Sequence, residues 1–337
     1  MNKKITIFAV VLIVVGIIGS ISSSIAAVPF ATRFIKECEK KASKEVVLYE
    51  KNFDIKQLDI DTKDLNVEIR KSNSDKVKIV KLGATNSDLI KVEENKNLIK
   101  ILQNRQNKNI NIEIQGFGDA IINMMNLGKN KLIIYVPNSV NIQANCRYGD
   151  LDISDSEVLN KKLNFETEYR QLSLPKKIKN LDTLNICSNG DVNLKTSEFL
   201  GIKNINISTT GGVYLNSEPN EIFIEDVEKF IPENFNITSS SYSIDVNISS
   251  SIPVAKNLNI DNKLGSTYLN LPTQRYNILF DLDASDNIYF NNNSDNEHNE
   301  GNSEQSSTQN SFKGTLKEND GKMYKVKVNS QDINLNN

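Results

Sequence analysis

The sequence predicts an all-β chain, a single-stranded parallel β-solenoid behind an N-terminal transmembrane helix. Three observations carry that expectation. First, an apolar-Asn-apolar triplet recurs as Val140-Asn141-Ile142, Leu163-Asn164-Phe165, Leu184-Asn185-Ile186, Ile205-Asn206-Ile207, Phe235-Asn236-Ile237 and Leu258-Asn259-Ile260. The heads of these triplets lie 23, 21, 21, 30 and 23 residues apart, the period of one solenoid coil. Second, a polar turn and a second apolar pair follow the triplets, as in Asn189-Gly190-Asp191 before Val192 and Leu194, or Thr210-Gly211-Gly212 before Val213 and Leu215. Third, aromatic residues make up 7% of the chain and Trp is absent, which suits many thin aliphatic layers better than one bulky centre.

Within each triplet, alternation along a strand sends Leu184, Ile186 and Ser188 to one face and Asn185 and Cys187 to the other. Leu151 with Ile153, Leu172 with Leu174, Leu269 with Leu271 and Ile288 with Phe290 return the chain to the inner face elsewhere. Gly and Asn at the corners read as residues tolerant of positive φ. One coil hides little apolar surface alone; at roughly 1.5–3 kcal/mol per buried aliphatic side chain, it becomes stable only against its neighbours. Asn164, Asn185, Asn206 and Asn259 should occupy equivalent places on successive coils, where amides hydrogen-bond along the stack as a ladder.

At the N-terminus, Met1-Asn2-Lys3-Lys4 precedes an apolar run from Ile5 to Ile21, with a milder stretch to Phe30. Residues 1–30 therefore read as a retained membrane anchor or, alternatively, as an export signal removed near Ala27. Lys3 and Lys4 favour a cytoplasmic N-terminus, whereas Arg33, Lys36, Lys40, Lys41 and Lys44 pull the other way. The export-signal form of the head decides for an extracytoplasmic domain at the cell membrane; cleavage would give a secreted one. Residues 31–52 read as a helical stalk rich in Lys and Glu, and residues 53–337 as the solenoid. Its alternation starts at Leu58, Ile60 and Thr62 and continues through Leu65, Val67 and Ile69. An insertion from about Gln103 to Lys131 carries Ile110, Ile112, Ile114 and Met124, and a second from Asn216 to Asn234 accounts for the longest repeat interval. The segment 291–320, poor in apolar residues, reads as disordered. Val326, Val328, Ile333 and Leu335 then supply a terminal rung.

The opening Phe53-Asp54-Ile55-Lys56-Gln57-Leu58-Asp59-Ile60-Asp61-Thr62, units of the type Leu184-Asn185-Ile186-Cys187-Ser188-Asn189-Gly190-Asp191-Val192, and the closing Val326-Lys327-Val328-Asn329-Ser330-Gln331-Asp332-Ile333 together resemble the bacterial DUF4097 family, described as "putative adhesins". The resemblance covers roughly residues 53–335. It implies a β-solenoid, a right-handed β-helix, and placement at the cell surface or envelope. No catalytic residue comes with it. The sequence departs from the usual unit at Tyr169-Arg170-Gln171 and at Ser240-Ser241-Tyr242.

A net charge of −2 with both signs interspersed lacks the basic footprint of a nucleic-acid binder. The one histidine, His298, lies in the polar insertion, which argues against a Ser-His-Asp triad or a His-rich zinc site. No catalytic residue and no cofactor is expected. Asp150, Asp152 and Asp155 are the weak candidate for Ca²⁺, being hard oxygen donors with two on one outward face; a solvated acidic edge is the plainer reading. Asp281, Asp283 and Asp286 form a similar group. Cys146 has inward parity and Cys187 outward, which opposes a disulfide between them. Glycan recognition would require aromatic platforms, and Tyr214, Tyr242, Tyr268 and Tyr289 show no single fixed offset along the chain. The expected function is an adhesin-like or envelope-associated interaction module, tethered to the membrane, with a protein or glycan partner. The alternative is a carbohydrate-active β-helix, a polysaccharide lyase or hydrolase.

Overall fold

The computed structural model describes residues 45–83, 89–104, 130–176, 178–217, 229–240, 242–248, 252–291, 309–317 and 322–336. The anchor at 1–30, residues 31–44 of the stalk, Cys38, the Ile110 to Met124 insertion and His298 lie outside them. Strands β1 (Glu45–Asn52), β2 (Gln57–Thr62), β3 (Asn66–Lys71), β4 (Lys76–Leu82), β5 (Ile90–Asn95), β6 (Leu98–Gln103) and β7 (Lys131–Val136) come first. Next are β8 (Val140–Cys146), β9 (Leu151–Ile153), β10 (Leu159–Thr167), β11 (Leu172–Ser173), β12 (Thr183–Ser188), β13 (Val192–Lys195), β14 (Asn204–Thr209) and β15 (Val213–Asn216). The remainder are β16 (Asn234–Ser239), β17 (Ile244–Asn247), β18 (Asn257–Asn270), β19 (Asn277–Asn291), β20 (Gln309–Thr315) and β21 (Met323–Asn336). Helix among the described residues includes one α-turn, Thr196–Phe199, and one 3₁₀ turn, Ser156–Val158. No described helix is long and apolar enough to cross a membrane.

Five of the six triplets stack in parallel and in register; the first is displaced by two residues, since Leu163 pairs with Ile142 and Val140 lies opposite Leu159, which brings Gln143 rather than Asn141 level with Asn164. Leu163 pairs with Leu184, Leu184 with Ile205, Ile205 with Phe235 and Phe235 with Leu258. All five are buried, so one file of apolar side chains runs through the core. A second file, Phe165, Ile186, Ile207, Ile237 and Ile260, lies two residues further along each strand. After a corner, the second strands form another face, with Val192, Val213 and Ile244 in register followed by Thr267. The connections returning to the first face close the remaining side with Val158, Ile178, Phe199, Ile231 and Val254, all buried. There Phe199 meets Phe235 edge-on, with ring centroids 5.5 Å apart.

Buried hydroxyls stitch the corner between the two faces. Thr209 Oγ1 donates to the Gly190 carbonyl (2.6 Å) and accepts the Gly211 N–H (2.9 Å), while Ser239 Oγ donates to the Gly211 carbonyl (2.8 Å). Each coil thereby satisfies a backbone group of the coil before it, which a buried turn requires. The corner glycines are needed for a different reason from the one the sequence suggests. Positive φ among the described residues occurs at Gly83, Gly201 and Lys96, not at Gly149, Gly190, Gly211 or Gly265. What these positions require is proximity: a Cβ on Gly149 would stand 1.9 Å from the Leu65 carbonyl oxygen, and one on Gly265 2.3 Å from that of Tyr242.

Stack order departs from chain order at both ends. β2 lies between β6 and β8, and β21 lies between β18 and β19. Val326, Val328, Ile333 and Leu335 therefore do not form the terminal rung; β19 lies beyond them, because a strand gains a second partner by entering that gap. Antiparallel strands cover the ends: β5 on β6, β1 on β4, and β20 on β19. Such caps protect edges that would otherwise recruit another chain. Two boundaries change accordingly. Glu45–Asn52, assigned by sequence to the helical stalk, is strand β1, since Val46, Leu48 and Tyr49 find partly buried places against β4. Gln309–Thr315, assigned to the disordered segment, is strand β20, with Phe312 packed edge-on against Phe290 at 5.2 Å.

Candidate functional site

The outer side of the first face carries an amide ladder. Asn164 Nδ2 donates to Gln143 Oε1 (2.5 Å), Asn185 to Asn164 (2.6 Å), Asn206 to Asn185 (2.7 Å), Asn236 to Asn206 (2.8 Å) and Asn259 to Asn236 (2.8 Å). The four asparagines expected from the sequence are all present, and Gln143 and Asn236 extend the series. An amide in such a ladder uses one N–H and the carbonyl oxygen, leaving another N–H and a lone pair for solvent or a ligand. The same side holds an open depression of about 370 Å³ lined by Asn164, Glu166, Asn185, Cys187, Asn206 and Ser208 among others. Cys187 is exposed within it, as its parity predicts, whereas Cys146 is buried and its thiol is pushed up to about 12 by that burial.

A second recess opens where the second face is interrupted. β9 pairs with β11 and β13 with β15, yet β11 and β13 form no ladder with each other. β11 is two residues long and is followed shortly by Pro175, which offers no N–H to a neighbour. Between the two edges lies a cleft of about 400 Å³ whose lining includes Phe165 and Ile186 of the core, with Arg170, Asp191, Lys195 and Glu198. It coincides with the unusual Tyr169-Arg170-Gln171 corner. The two acids are tied to backbone, since Asp191 Oδ1 accepts the Gly212 N–H (2.8 Å) and Glu198 Oε2 the Lys195 N–H (2.8 Å). Those bonds shape the corner and the α-turn.

The candidate calcium residues have local duties as well. Asp150 Oδ1 accepts the Gln171 N–H (3.2 Å), and Asp155 Oδ1 caps the 3₁₀ turn through the Glu157 N–H (2.8 Å). Asp152 is in register with Glu68, and its carboxyl is raised above the ordinary value first by burial and then by that neighbouring charge. No group of three or more metal-type side chains comes together among the described residues. In the second acidic group, Asp281 faces Lys313 (3.7 Å) and Asp286 accepts from Gln331 (2.9 Å). Glu68, buried on the outward side of β3, is a charge that strand alternation does not lead one to expect there. Burial would raise its carboxyl, but hydrogen bonds from Arg70 and Lys131 outweigh that and hold it low.

Three of the four tyrosines share one place within a strand, though not one offset along the chain. Val213-Tyr214-Leu215, Thr267-Tyr268-Leu269 and Ile288-Tyr289-Phe290 each place Tyr at the outward centre of a second strand, flanked by inward residues. That motif was available in the sequence. Tyr242 differs in lying exposed at a corner.

Coil geometry and family agree: the chain belongs to the DUF4097 family, whose model, described as Toastrack DUF4097, matches residues 55–336. The architecture is accordingly all-β and β-solenoid-like. Among solved structures, the chain is similar to a "putative adhesin" from Bacteroides fragilis at 12% identity and a TM-score of 0.37, covering 88% of this chain and 99% of that one. A "putative lipid binding protein" from Parabacteroides distasonis matches at 10% identity and a TM-score of 0.34, covering 87% and 96%. A "putative cell adhesion protein" from Clostridium sporogenes matches at 12% identity and a TM-score of 0.20, covering 87% and 97%. No curated protein matches the sequence.

Proposed function

We propose that this chain is a non-catalytic binding module displayed outside the cytoplasmic membrane, anchored by its N-terminal apolar segment and presenting the amide-lined side of a right-handed, single-stranded parallel solenoid to the cell envelope. The observation that carries this reading is the asparagine ladder beneath an open depression of about 370 Å³. An array of side-chain amides at the spacing of stacked strands offers repeated donor and acceptor pairs to hydroxyl- or amide-rich partners. Cys187, exposed in that surface, gives a means of blocking it.

The test uses the full chain in a Cys38→Ser background with purified cell-wall sacculi. Saturable capture is expected, and coupling a bulky maleimide to Cys187 should reduce it at least about tenfold, a change of about 1.4 kcal/mol. Capture unaffected by that block sinks the assignment to this surface, and release of soluble sugar fragments favours the lyase or hydrolase alternative. Placement is checked separately. A reporter fused after Asn337 should be active outside the cell, and a cytoplasmic signal contradicts the orientation.

A further inference from the structure

The second face carries a column unlike the asparagine ladder of the first. Register aligns Asn193, Tyr214, Asp245, Tyr268, Asn334 and Tyr289 on the outward side of six strands that are neighbours in the stack. A tyrosine therefore stands at every second level. Paired strands lie 4.7–4.9 Å apart, so successive tyrosines are separated by roughly 9.5 Å, about the span of two linked sugar rings in an extended 1,4-linked chain.

Beside this column runs an amide row. Asn216, Asn247, Asn270 and Asn336 are in register two residues further along the same strands, and Asn270 Nδ2 donates to Asn247 Oδ1 (2.9 Å). Tyr268 is 41% exposed and Tyr214 and Tyr289 are half-buried. The Tyr214 ring lies back over the chain, since a Cβ on Gly212 would stand 2.8–2.9 Å from its Oη, Cε2 and Cζ atoms. A ring in that attitude turns a face outward instead of standing on edge.

Charge narrows the ligand. Lys195 stands level with the amide row on β13, at one end; from β15 to β19 neither the tyrosine column nor the amide row contains Lys or Arg, and Asp245 lies between Tyr214 and Tyr268. Its carboxyl is raised by burial, in keeping with coverage by its neighbours. A polyanion would meet a carboxylate and no cation there. Tyrosines at a two-sugar interval, flanked by amides, match a neutral chain whose apolar ring faces stack on tyrosine and whose hydroxyls reach the asparagines.

We infer that the outward side of the second face, along Tyr214, Tyr268 and Tyr289, is a binding track for a neutral, linear, 1,4-linked β-glycan. The track lies on a different face from the ladder assigned above, so either assignment can fail without the other.

Isothermal titration of the full chain, in a detergent without a sugar headgroup, tests the inference with cellohexaose and chitohexaose against their disaccharides. A hexamer is long enough to reach all three tyrosines and a disaccharide cannot stack on two, so at least one hexamer should bind about tenfold or more tighter than its dimer. Tyr268→Ala should weaken that hexamer at least about fivefold, Tyr268→Phe should retain binding, and Tyr242→Ala should change nothing. A maleimide on Cys187 should leave it intact, because that residue lies on the other face. An unchanged melting curve for Tyr268→Ala confirms that the variant is folded; if the curve shifts, Tyr289→Ala is read in its place. Failure of both hexamers to bind overturns the inference. So does equal affinity for dimer and hexamer, indifference to the Tyr→Ala change, or equal binding of an oligogalacturonate hexamer.

Discussion

Phe235→Ala is expected to cost about 3–5 kcal/mol of folding stability, read from the midpoint and slope of a urea transition. Phe235 is fully buried, stacks between Ile205 and Leu258 in the apolar file, and meets Phe199 edge-on from the returning connection. Truncation would empty space bounded above and below by strands in register, and backbone spacing fixed by hydrogen bonding leaves little room for collapse. The loss should therefore fall at the high end of large-to-small substitutions. Asn236→Ala, one residue away and outward, is the internal control. It removes hydrogen bonds to Asn206 and Asn259 at a partly solvated surface and should cost about 1 kcal/mol. If the two variants lose comparable stability, the apolar file is not the principal support of the stack.

The difference between those neighbours was readable from alternation alone, and so was most of the central architecture. The triplet heads Leu163, Leu184, Ile205, Phe235 and Leu258 lie in register, and the parity of Cys146 and Cys187 is as expected. Period and parity are local properties, which is why they survive translation into three dimensions. Level within the stack is not local. Nothing in the order of residues says that β21 enters between β18 and β19, so Tyr268 and Tyr289 read as merely successive, whereas an asparagine level separates them. The glycan track stayed hidden for that reason, although each tyrosine has the same inward-flanked setting. The cleft was hidden differently: Pro175 and the irregular Tyr169 corner signal a break, but an interrupted ladder becomes a recess only when the strands on either side hold their own partners. Cap strands were missed for two reasons: Glu45–Asn52 carries its apolar residues as one run, Val46 to Tyr49, without the alternation that marks a strand, and Gln309–Thr315 is polar and resembles a disordered segment until an edge is present to receive it.

Corner glycines set the tightest limit on the stack, and Gly211→Ala should destabilise it by about 3 kcal/mol although it adds one methyl group. A Cβ at Gly211 would lie 2.5 Å from the carbonyl carbon of Gly190, 2.7 Å from its oxygen and 2.7 Å from the Asp191 nitrogen. All three obstacles are backbone, so no rotamer change relieves them. The coils would have to part at this corner. Parting would strain the bond from Thr209 Oγ1 to the Gly190 carbonyl and that from Ser239 Oγ to the Gly211 carbonyl. It would also disturb the parallel pairing of β13 with β15. Gly314→Ala provides the contrast: there the nearest obstacle is the far edge of the Phe312 ring at 3.5 Å, on the capping strand β20, and the change should stay within about 0.5 kcal/mol. Chemical denaturation of both variants separates the explanations for corner glycine. A severe loss at Gly211 with tolerance at Gly314 assigns it to the closeness of stacked backbones; tolerance at Gly211 would mean that neighbouring coils yield freely, and the stitched corner would then contribute little to holding them together.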